Sequence, residues 1–460
     1  MSAVPDTIAA IATPPGRGGV GIVRVSGGNA ALIMEALIGQ RLAPRLATVA
    51  TFRGDCQEPL DQGLGLFFPA PHSYTGEDVL ELHGHGGPAV LGLVLARCLA
   101  VGARLAAPGE FTRRAFLNGK LDLAQAESVA DLIDAATTTA AKAAARSLSG
   151  EFSREVRALV DGLVDLRMLT EASLDFPEED LAFVQAGNAL ARVDAARDRL
   201  AGLLVRAGQG ALLREGLIAV LIGQPNVGKS SLMNRLSGDD VAIVTPIPGT
   251  TRDALRNTID LGGIPVTLVD TAGLRPTDDP IETMGIERTW KAVGEASLAL
   301  HLIDARVDDP ETFANDNAIL ARLPAMLPRV IIHNKIDLAG RAPARSAAAT
   351  TEGAPRRFDV WLSAKTGAGV ELLRRTVLEM AGAHETMEDT FLARARHLEA
   401  LRAAALHLDG ARRHLASPAP PLELFAEELR GAQAALSAIT GEFSADDLLG
   451  VIFSRFCIGK

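Results

Sequence analysis

Cysteine is almost missing: Cys56, Cys98 and Cys457 are all that 460 residues contain. They are too few and too far apart for a disulfide framework or a zinc knuckle, so a reducing compartment, the cytoplasm, is expected. Lysine is scarce as well. Only seven of the 46 basic residues are Lys, at positions 120, 142, 229, 291, 335, 365 and 460. Arginine fills nearly every place where any cation would serve, so a surviving lysine hints at a need for a compact ammonium. Positive charge is not in excess either. Against 56 acidic residues the formal charge is −10, which excludes a global positive field able to hold nucleic acid without specificity. DNA is not an expected partner, and any RNA contact must be local or shared. The longest apolar stretch, near residues 90–107, is broken by Arg97 and Arg104, and the opening Met1-Ser-Ala-Val-Pro-Asp6 has neither a basic nor an apolar leader segment. No membrane association is expected. What is present is a globular composition, 48% hydrophobic and 22% charged, with 44 Gly and 24 Pro spread along a chain long enough for about three domains.

The hydrophobic pattern changes along the chain. Short β-like runs such as Val20-Gly-Ile-Val-Arg-Val25 and Asp78-Val-Leu-Glu-Leu82 alternate with Gly/Pro turns and one expected helix near Ala89 to Val101, which reads as an α/β domain over residues 1–119. From there to residue 215, Ala/Leu-rich stretches place Val156, Leu159, Val160, Leu163, Val164 and Leu166 at helical spacing, with a break at Asp175-Phe-Pro-Glu-Glu-Asp180. A β- and loop-rich stretch over 216–382 interrupts this character, and helical spacing resumes over 383–460 (Leu398, Leu401, Leu408, Leu415). The fold class is therefore multidomain α/β plus α, with an α/β domain inserted into a helical domain built from two segments.

The inserted domain carries the chemistry. Gly223-Gln-Pro-Asn226-Val227-Gly228-Lys229-Ser230 follows the apolar run Leu217 to Ile222 and precedes a helical Ser231-Leu-Met-Asn-Arg-Leu236. This is a P-loop in its required strand-to-helix setting: backbone N–H groups face phosphate oxygens, Lys229 adds a point charge, and Ser230 offers a hydroxyl to Mg²⁺. Asp270-Thr271-Ala272-Gly273 ends the apolar run Pro265 to Val269, putting a metal-side carboxylate at a strand's carboxyl end. Between them, Thr250-Thr251-Arg-Asp253 supplies Thr251 as a second Mg²⁺ ligand from a loop. Asn334-Lys335-Ile-Asp337 follows Val330 to Ile332. One carboxylate, Asp337, accepts from guanine N1–H and its 2-amino group together, a pair that adenine lacks. Ser363-Ala364-Lys365, after Val360-Trp-Leu362, adds a backbone N–H for the guanine oxygen. Four motifs in this order define a Ras-like P-loop domain for GTP. Leu274 stands where Ras-type proteins have a water-orienting glutamine, so another group must position the water. Asn226 has a carboxamide oxygen suited to a monovalent cation, or is simply a turn-forming Asn.

These residues resemble one family over the whole chain, the tRNA-modification GTPases MnmE (also TrmE). Further segments carry the resemblance: Ala12-Thr-Pro-Pro-Gly-Arg-Gly-Gly-Val-Gly21, Ser73-Tyr-Thr-Gly-Glu-Asp-Val-Leu-Glu-Leu-His-Gly-His-Gly-Gly87, Pro108-Gly-Glu-Phe-Thr112, Phe116 to Glu127 and the terminal Phe456-Cys-Ile-Gly-Lys460. The resemblance implies a potassium-dependent GTPase that works with the flavoprotein MnmG to add a carboxymethylaminomethyl or aminomethyl group to C5 of the wobble uridine of certain tRNAs. FAD and NADH would belong to that partner. It also implies a homodimer held by an N-terminal tetrahydrofolate-binding domain. Carried onto this sequence, the K⁺ ligands are Asn226, the Thr245 and Ile247 carbonyls and Thr250, within a nucleotide loop that includes Pro246, Pro248 and Gly249. Mg²⁺ falls on Ser230 and Thr251. Glu282 matches the family's water-orienting glutamate, and Arg24, Glu81, Lys120 and Lys460 match its folate positions, with Cys457 close to the one-carbon unit.

Several features point elsewhere. Gly16-Arg-Gly-Gly-Val-Gly21 fits a dinucleotide fingerprint, but the run that follows reads as a strand rather than the required helix. His83 and His85 suggest a metal, without a nearby third ligand. Cys457-Ile-Gly-Lys460 has the outline of a prenylation box with an atypical last residue. Arg394, Arg396, Arg402, Arg412 and Arg413 form either an RNA-contacting helix face or a solvated one. Two functional classes stand against each other: a tRNA-modifying GTPase, and a GTPase switch or ribosome-assembly factor with no chemistry of its own.

Overall fold

The computed structural model describes residues 6–175, 188–238, 256–270, 294–307, 320–348, 355–383, 390–442, 452, 456 and 459. The chain divides into two compact units, one of Met1–Ala130, Ser147–Leu200 and Ala400–Lys460, the other of Asp131–Arg146 and Ala201–Glu399.

In the first unit, strands β1 (Ile8–Ile11), β2 (Gly18–Ser26), β3 (Thr48–Arg53), β4 (Pro59–Phe68), β5 (Val79–Gly86) and β6 (Arg104–Leu105) form a sheet in the order β3-β4-β5-β2-β1-β6. Pairing is antiparallel except between β1 and β6. Alternation along the strands decides which face is apolar. Val23, Val25, Leu80 and Leu82 share a core with Ile33 and Leu37 of helix α1 (Ala30–Ile38) and Leu91 and Val94 of α2 (Pro88–Ala100). Arg24 and Glu81, opposite each other in register, fall on the other face. There Ile8, Ala10 and Ala106 pack with Phe111 of α3 (Glu110–Leu117) and with Tyr74.

The sequence predicts one helix in this region, and α2 stands there. α1 and α3 are additional. α1 carries a single charged residue, Glu35, and buries five of its nine, so no polar stripe marks it as helical. α3 begins after Gly109 in a left-handed conformation, inside a Pro-Gly-Glu run that reads as a turn.

Arg114 of α3 is the hub of an ion network on this side. It is 9% exposed, and its guanidinium donates to the Asp6 carbonyl and carboxylate (both 2.7 Å), to Glu77 (3.1 and 3.2 Å) and to Glu110 (2.9 Å). Arg104 bonds Glu110 and Asp6 from the adjoining strand. Burial alone would raise the Glu110 carboxyl, but Arg104, the Ala107 N–H and Arg114 outweigh it and bring the group down to about 2.

Helices α4 (Leu123–Ile133), α5 (Thr138–Leu148), α6 (Glu151–Asp175) and α7 (Asn188–Glu215) follow, and α11 (Ala395–Leu415) and α12 (Leu422–Thr440) close the chain. α6 ends where the sequence predicts its break, and it packs along α12 with an Arg167 to Gln433 hydrogen bond of 2.6 Å. Ile452 and Phe456 bury against Leu123 and Ala126.

The second unit holds a sheet in the order β12-β13-β11-β10-β7-β9-β8. Its strands are β7 (Leu217–Ile222), β8 (Arg256–Leu261), β9 (Ile264–Asp270), β10 (Leu298–Asp304), β11 (Arg329–Asn334), β12 (Ala344–Ala347) and β13 (Arg357–Trp361). The five inner strands are parallel, and β8 and β12 are antiparallel edges. β7 reads as a continuous apolar run, and β10 as one interrupted only by the buried His301 before Asp304, because both their faces are covered. Helices α8 (Lys229–Gly238) and α10 (Val370–Met380) contribute Leu232, Leu236, Leu373 and Val377 to this core, which also takes Ala143 and Ala144 of α5. α9 (Ile336–Ala339) is a single turn after β11. Asp131 accepts from Arg214 (2.9 Å), at the end of α7 just before β7, and from Arg394 (2.8 Å) just before α11. Because the inner strands are parallel, the carboxyl ends of β7, β9, β11 and β13 lie at one edge.

Removing Arg114 takes the guanidinium partner from Glu77 and leaves Asp6 and Glu110 to Arg104 alone. Arg114→Met is expected to destabilise the protein by about 3–5 kcal/mol in urea unfolding at pH 7. Glu110 has a lowered folded-state pKa, so its contribution is present above the ordinary value of 4.5 and is lost as pH falls toward about 2. Glu110→Gln should flatten the stability profile in that window; an unchanged acid slope would contradict the network's role.

Candidate functional site: a nucleotide pocket at the carboxyl edge of the parallel sheet

The loop between β7 and α8 is shaped by backbone that ordinary residues avoid. Gly223 and Gly228 have φ of +154° and +105°, and Asn226 sits at +63°. At Gly228 a side chain is excluded twice over: besides the dihedral, a Cβ would stand 2.3 Å from Asn334 Nδ2. Asn334 can approach so closely because nothing projects from Gly228, and its carboxamide then joins two loops. Nδ2–H donates to the Val227 carbonyl (2.7 Å), and Oδ1 accepts from the Ala364 N–H (2.9 Å). Asn334 is 2% exposed, so both bonds are shielded from water. The Ser363-Ala364-Lys365 loop is further closed by Gly367 N–H to Ser363 O (2.9 Å) and Thr366 N–H to Ser363 Oγ (3.2 Å).

Lys229 begins α8 and folds its Nζ back onto the loop, 2.5 Å from the Gly223 carbonyl and 3.2 Å from that of Gln224. Ser230 and Ser231 are exposed at the same helix start, where free N–H groups and the helix dipole favour anions. Asp270 ends β9 in register with Leu221 of β7, the strand that leads into the loop. Lys335 adopts a left-handed φ of +67°, and its Nζ lies 2.9 Å from Asp304 Oδ2. The Arg306 guanidinium holds Asp304 below the usual carboxylate range, against burial and with help from Lys335. Asp337 is exposed one turn further on. A polar cleft of about 360 Å³ lined by Ser231, Asn234, Arg235, Gly238, Ala364 and Lys365 adjoins this edge.

The structure thus brings together Asn226, Val227, Gly228, Lys229, Ser230, Ser231, Asp270, Asn334, Lys335, Asp337, Ser363, Ala364 and Lys365 at the strand ends named by the motifs. Thr245, Pro246, Ile247, Pro248, Gly249, Thr250, Thr251, Thr271, Ala272, Gly273, Leu274 and Glu282 lie outside the described residues, as do Cys457 and Lys460. Sequence reading passed over Asp304, because one acid at a strand end looks like any strand stop. Its signal is its place: β11 lies beside β10 in parallel, so Asp304 and Asn334 are register partners.

The first unit has a second cluster. Arg24 Nε lies 2.9 Å from Glu81 Oε1, and His83 Nε2 lies 3.1 Å from Oε2. The Arg24 guanidinium also stands over the rings of Tyr74 (5.4 Å) and Phe111 (5.7 Å). Lys120 reaches the same loop as Tyr74, with Nζ 3.1 Å from the Pro71 carbonyl. Gly459 lies against the Ile11 carbonyl, at the end of β1 next to Arg24's strand. His85 is held by Asp61 (2.7 Å), so His83 and His85 have separate carboxylates, and no metal-holding group of three occurs among the described residues. The Gly16 to Gly21 segment runs into strand β2, not a helix, as expected. Of the arginines on and before α11, Arg394 is committed to Asp131 and Arg412 to Asp194 (2.8 Å).

A parallel sheet with a P-loop, an aspartate at a strand end and an Asn-Lys-x-Asp loop at one edge defines a GTP-binding P-loop protein. Family models specify which. "GTP-binding protein TrmE N-terminus" matches residues 7–120 and "MnmE helical domain" matches 123–457. Curated relatives named tRNA modification GTPase MnmE include that of Dechloromonas aromatica, 59% identical over 99% of both chains, and that of Laribacter hongkongensis, 58% identical over the full length of both. Among solved structures, a GTP-binding protein from Sulfolobus solfataricus in complex with GDP is 20% identical over 49% of this chain and 67% of its own, with a TM-score of 0.27. The chain belongs to the MnmE family, and it is a GTPase of tRNA modification.

Gly228→Ala is expected to abolish GDP binding in fluorescence titration. Asn334→Ala, which cuts both inter-loop bonds, should weaken GDP at least tenfold. Wild-type affinity in either variant would refute the bridge.

Proposed function

We propose that the protein is a potassium-activated GTP hydrolase that acts with the flavoprotein MnmG to add a carboxymethylaminomethyl or aminomethyl group to C5 of the wobble uridine (U34) of certain tRNAs. The observation that carries the GTP half is the Asn334 bridge, which fixes the phosphate loop and the Ala364 loop in one geometry with Asp337 beside them. The wobble-uridine half is supported by full-length likeness to proteins named for tRNA modification.

In this reading Lys229 and the loop N–H groups bind the phosphates, and Asp337 reads guanine. The donor types fit a hard cation: Ser230 stands at the start of the helix after β7 and Asp270 at the end of neighbouring β9, with Thr251 to complete a Mg²⁺ site. Asn226, exposed and held in a left-handed turn, presents a neutral oxygen suited to K⁺ together with Thr245, Ile247 and Thr250. The cations neutralise charge on the transferring phosphoryl group when bound. Glu282 orients the attacking water in place of the missing glutamine. Two chains dimerise through the N-terminal domain, where Arg24, Glu81, Lys120 and Lys460 hold a tetrahydrofolate derivative, near Cys457. A pterin presents an amino-pyrimidinone edge like that of guanine, and Glu81, already held by two donors, is placed to accept from it. FAD and NADH stay on the partner, and the work is done in the cytoplasm.

At equal ionic strength, kcat in K⁺ should exceed kcat in Na⁺ by tenfold or more, and Asn226→Ala should remove the difference while leaving GDP affinity nearly unchanged. Equal rates in the two salts would remove the cation from the mechanism. Glu282→Ala should lower kcat with little change in GTP binding. Asp337→Asn should exchange GTP preference for xanthosine triphosphate, since an amide donates to the C2 oxygen. Nucleoside mass spectrometry of tRNA from a deletion strain checks the uridine chemistry: intact C5 modification would overturn it.

A further inference from the structure

Asp304, 8% exposed at the end of β10, accepts four hydrogen bonds. Arg306 brings its backbone N–H (3.1 Å) and Nε (3.0 Å) to Oδ1 and its Nη2 (2.8 Å) to Oδ2, which also takes Lys335 Nζ at 2.9 Å. No nucleotide motif includes Asp304 or Arg306. The backbone at this point is tied independently, by Ala305 N–H to the Asn334 carbonyl at 2.8 Å, so the side-chain contact to Lys335 is not needed to hold β10 against β11.

What the contact does fix is a direction. Lys335 lies between Asn334, locked by its two inter-loop bonds, and Asp337, whose carboxylate faces outward. Its left-handed backbone sends the side chain away from the course it would follow in a strand or helix. An ammonium on four methylenes, a quarter exposed, would otherwise sample water in many rotamers. Held on Asp304, it has one. Arg306 secures the anchor: its guanidinium lies in the field of Asp337 as well as on Asp304, so it offsets the charge of both acids.

We propose that Asp304 is a positioning residue of the base site, fixing Lys335 beside Asp337 before the nucleotide arrives. The proposal rests on reading the Asn334–Asp337 segment as the base loop. Fixing a long side chain in advance removes ordering that binding would otherwise require, so the effect should fall on affinity rather than on the chemical step.

A double-mutant cycle on the full-length protein tests this, read by fluorescent GDP titration and steady-state GTPase rates. Asp304→Ala should weaken GDP about tenfold and raise KM for GTP with kcat within twofold. In a Lys335→Ala background the same change should add nothing, because Asp304 acts through that lysine. Additive losses, or unchanged affinity in Asp304→Ala, would overturn the proposal. If Asp304→Ala fails to fold by thermal melting, Asp304→Asn, isosteric and uncharged, carries the same cycle. The base-loop reading is checked separately by Asp337→Asn and xanthosine triphosphate, so either failure is recognised without the other.

Discussion

The nucleotide edge depends on one buried carboxamide. Asn334 pins the phosphate loop through the Val227 carbonyl and the Ala364 loop through its N–H, and it can do so only because Gly228 has no side chain in the way. The segments that it joins are more than a hundred residues apart in the chain. Without that bridge each loop would have to find its geometry separately, at the entropic cost of ordering exposed backbone. The parallel sheet places the loops at one edge, and the carboxamide sets their distance.

The first unit solves a different problem. Its sheet has one apolar face, covered by α1 and α2, and a second face that mixes Arg24, Glu81 and His83 with the rings of Tyr74 and Phe111. Charges in such a place require partners. Arg24 and Glu81 supply them for each other, and the Arg114 network does the same where α3 meets β1 and the Tyr74 loop. The Arg24–Glu81 pair is at once a structural ion pair and a carboxylate whose direction is already set, so pairing and ligand reading do not exclude each other.

Motifs and strand ends were legible in the sequence because their chemistry is local. A glycine-rich turn after an apolar run, an Asp at the end of another and an Asn-Lys-x-Asp after a third each announce themselves within a few residues. The change of period at Leu217 was equally plain, and β7 begins there. What stayed hidden depends on partners distant in sequence. α1 gave no helical stripe because every residue in it except Glu35 is apolar. Arg114 looked like any surface arginine until Asp6, 108 residues earlier, met it. Asp304 acquired meaning only beside Lys335, which follows the last residue of the neighbouring strand.

The preference for arginine has a consequence of another kind. Guanidinium groups do not acylate under conditions that modify amines, so this protein offers lysine-directed chemistry very few targets. Three of its seven lysines, Lys229, Lys335 and Lys365, line the nucleotide loops, and two of those hold their ammonium groups on protein oxygens. Acetylation or a similar covalent mark, spread over many surface lysines in most proteins, would here have three of its seven targets in the pocket. The surface is largely silent to such chemistry, and the pocket is where it would register.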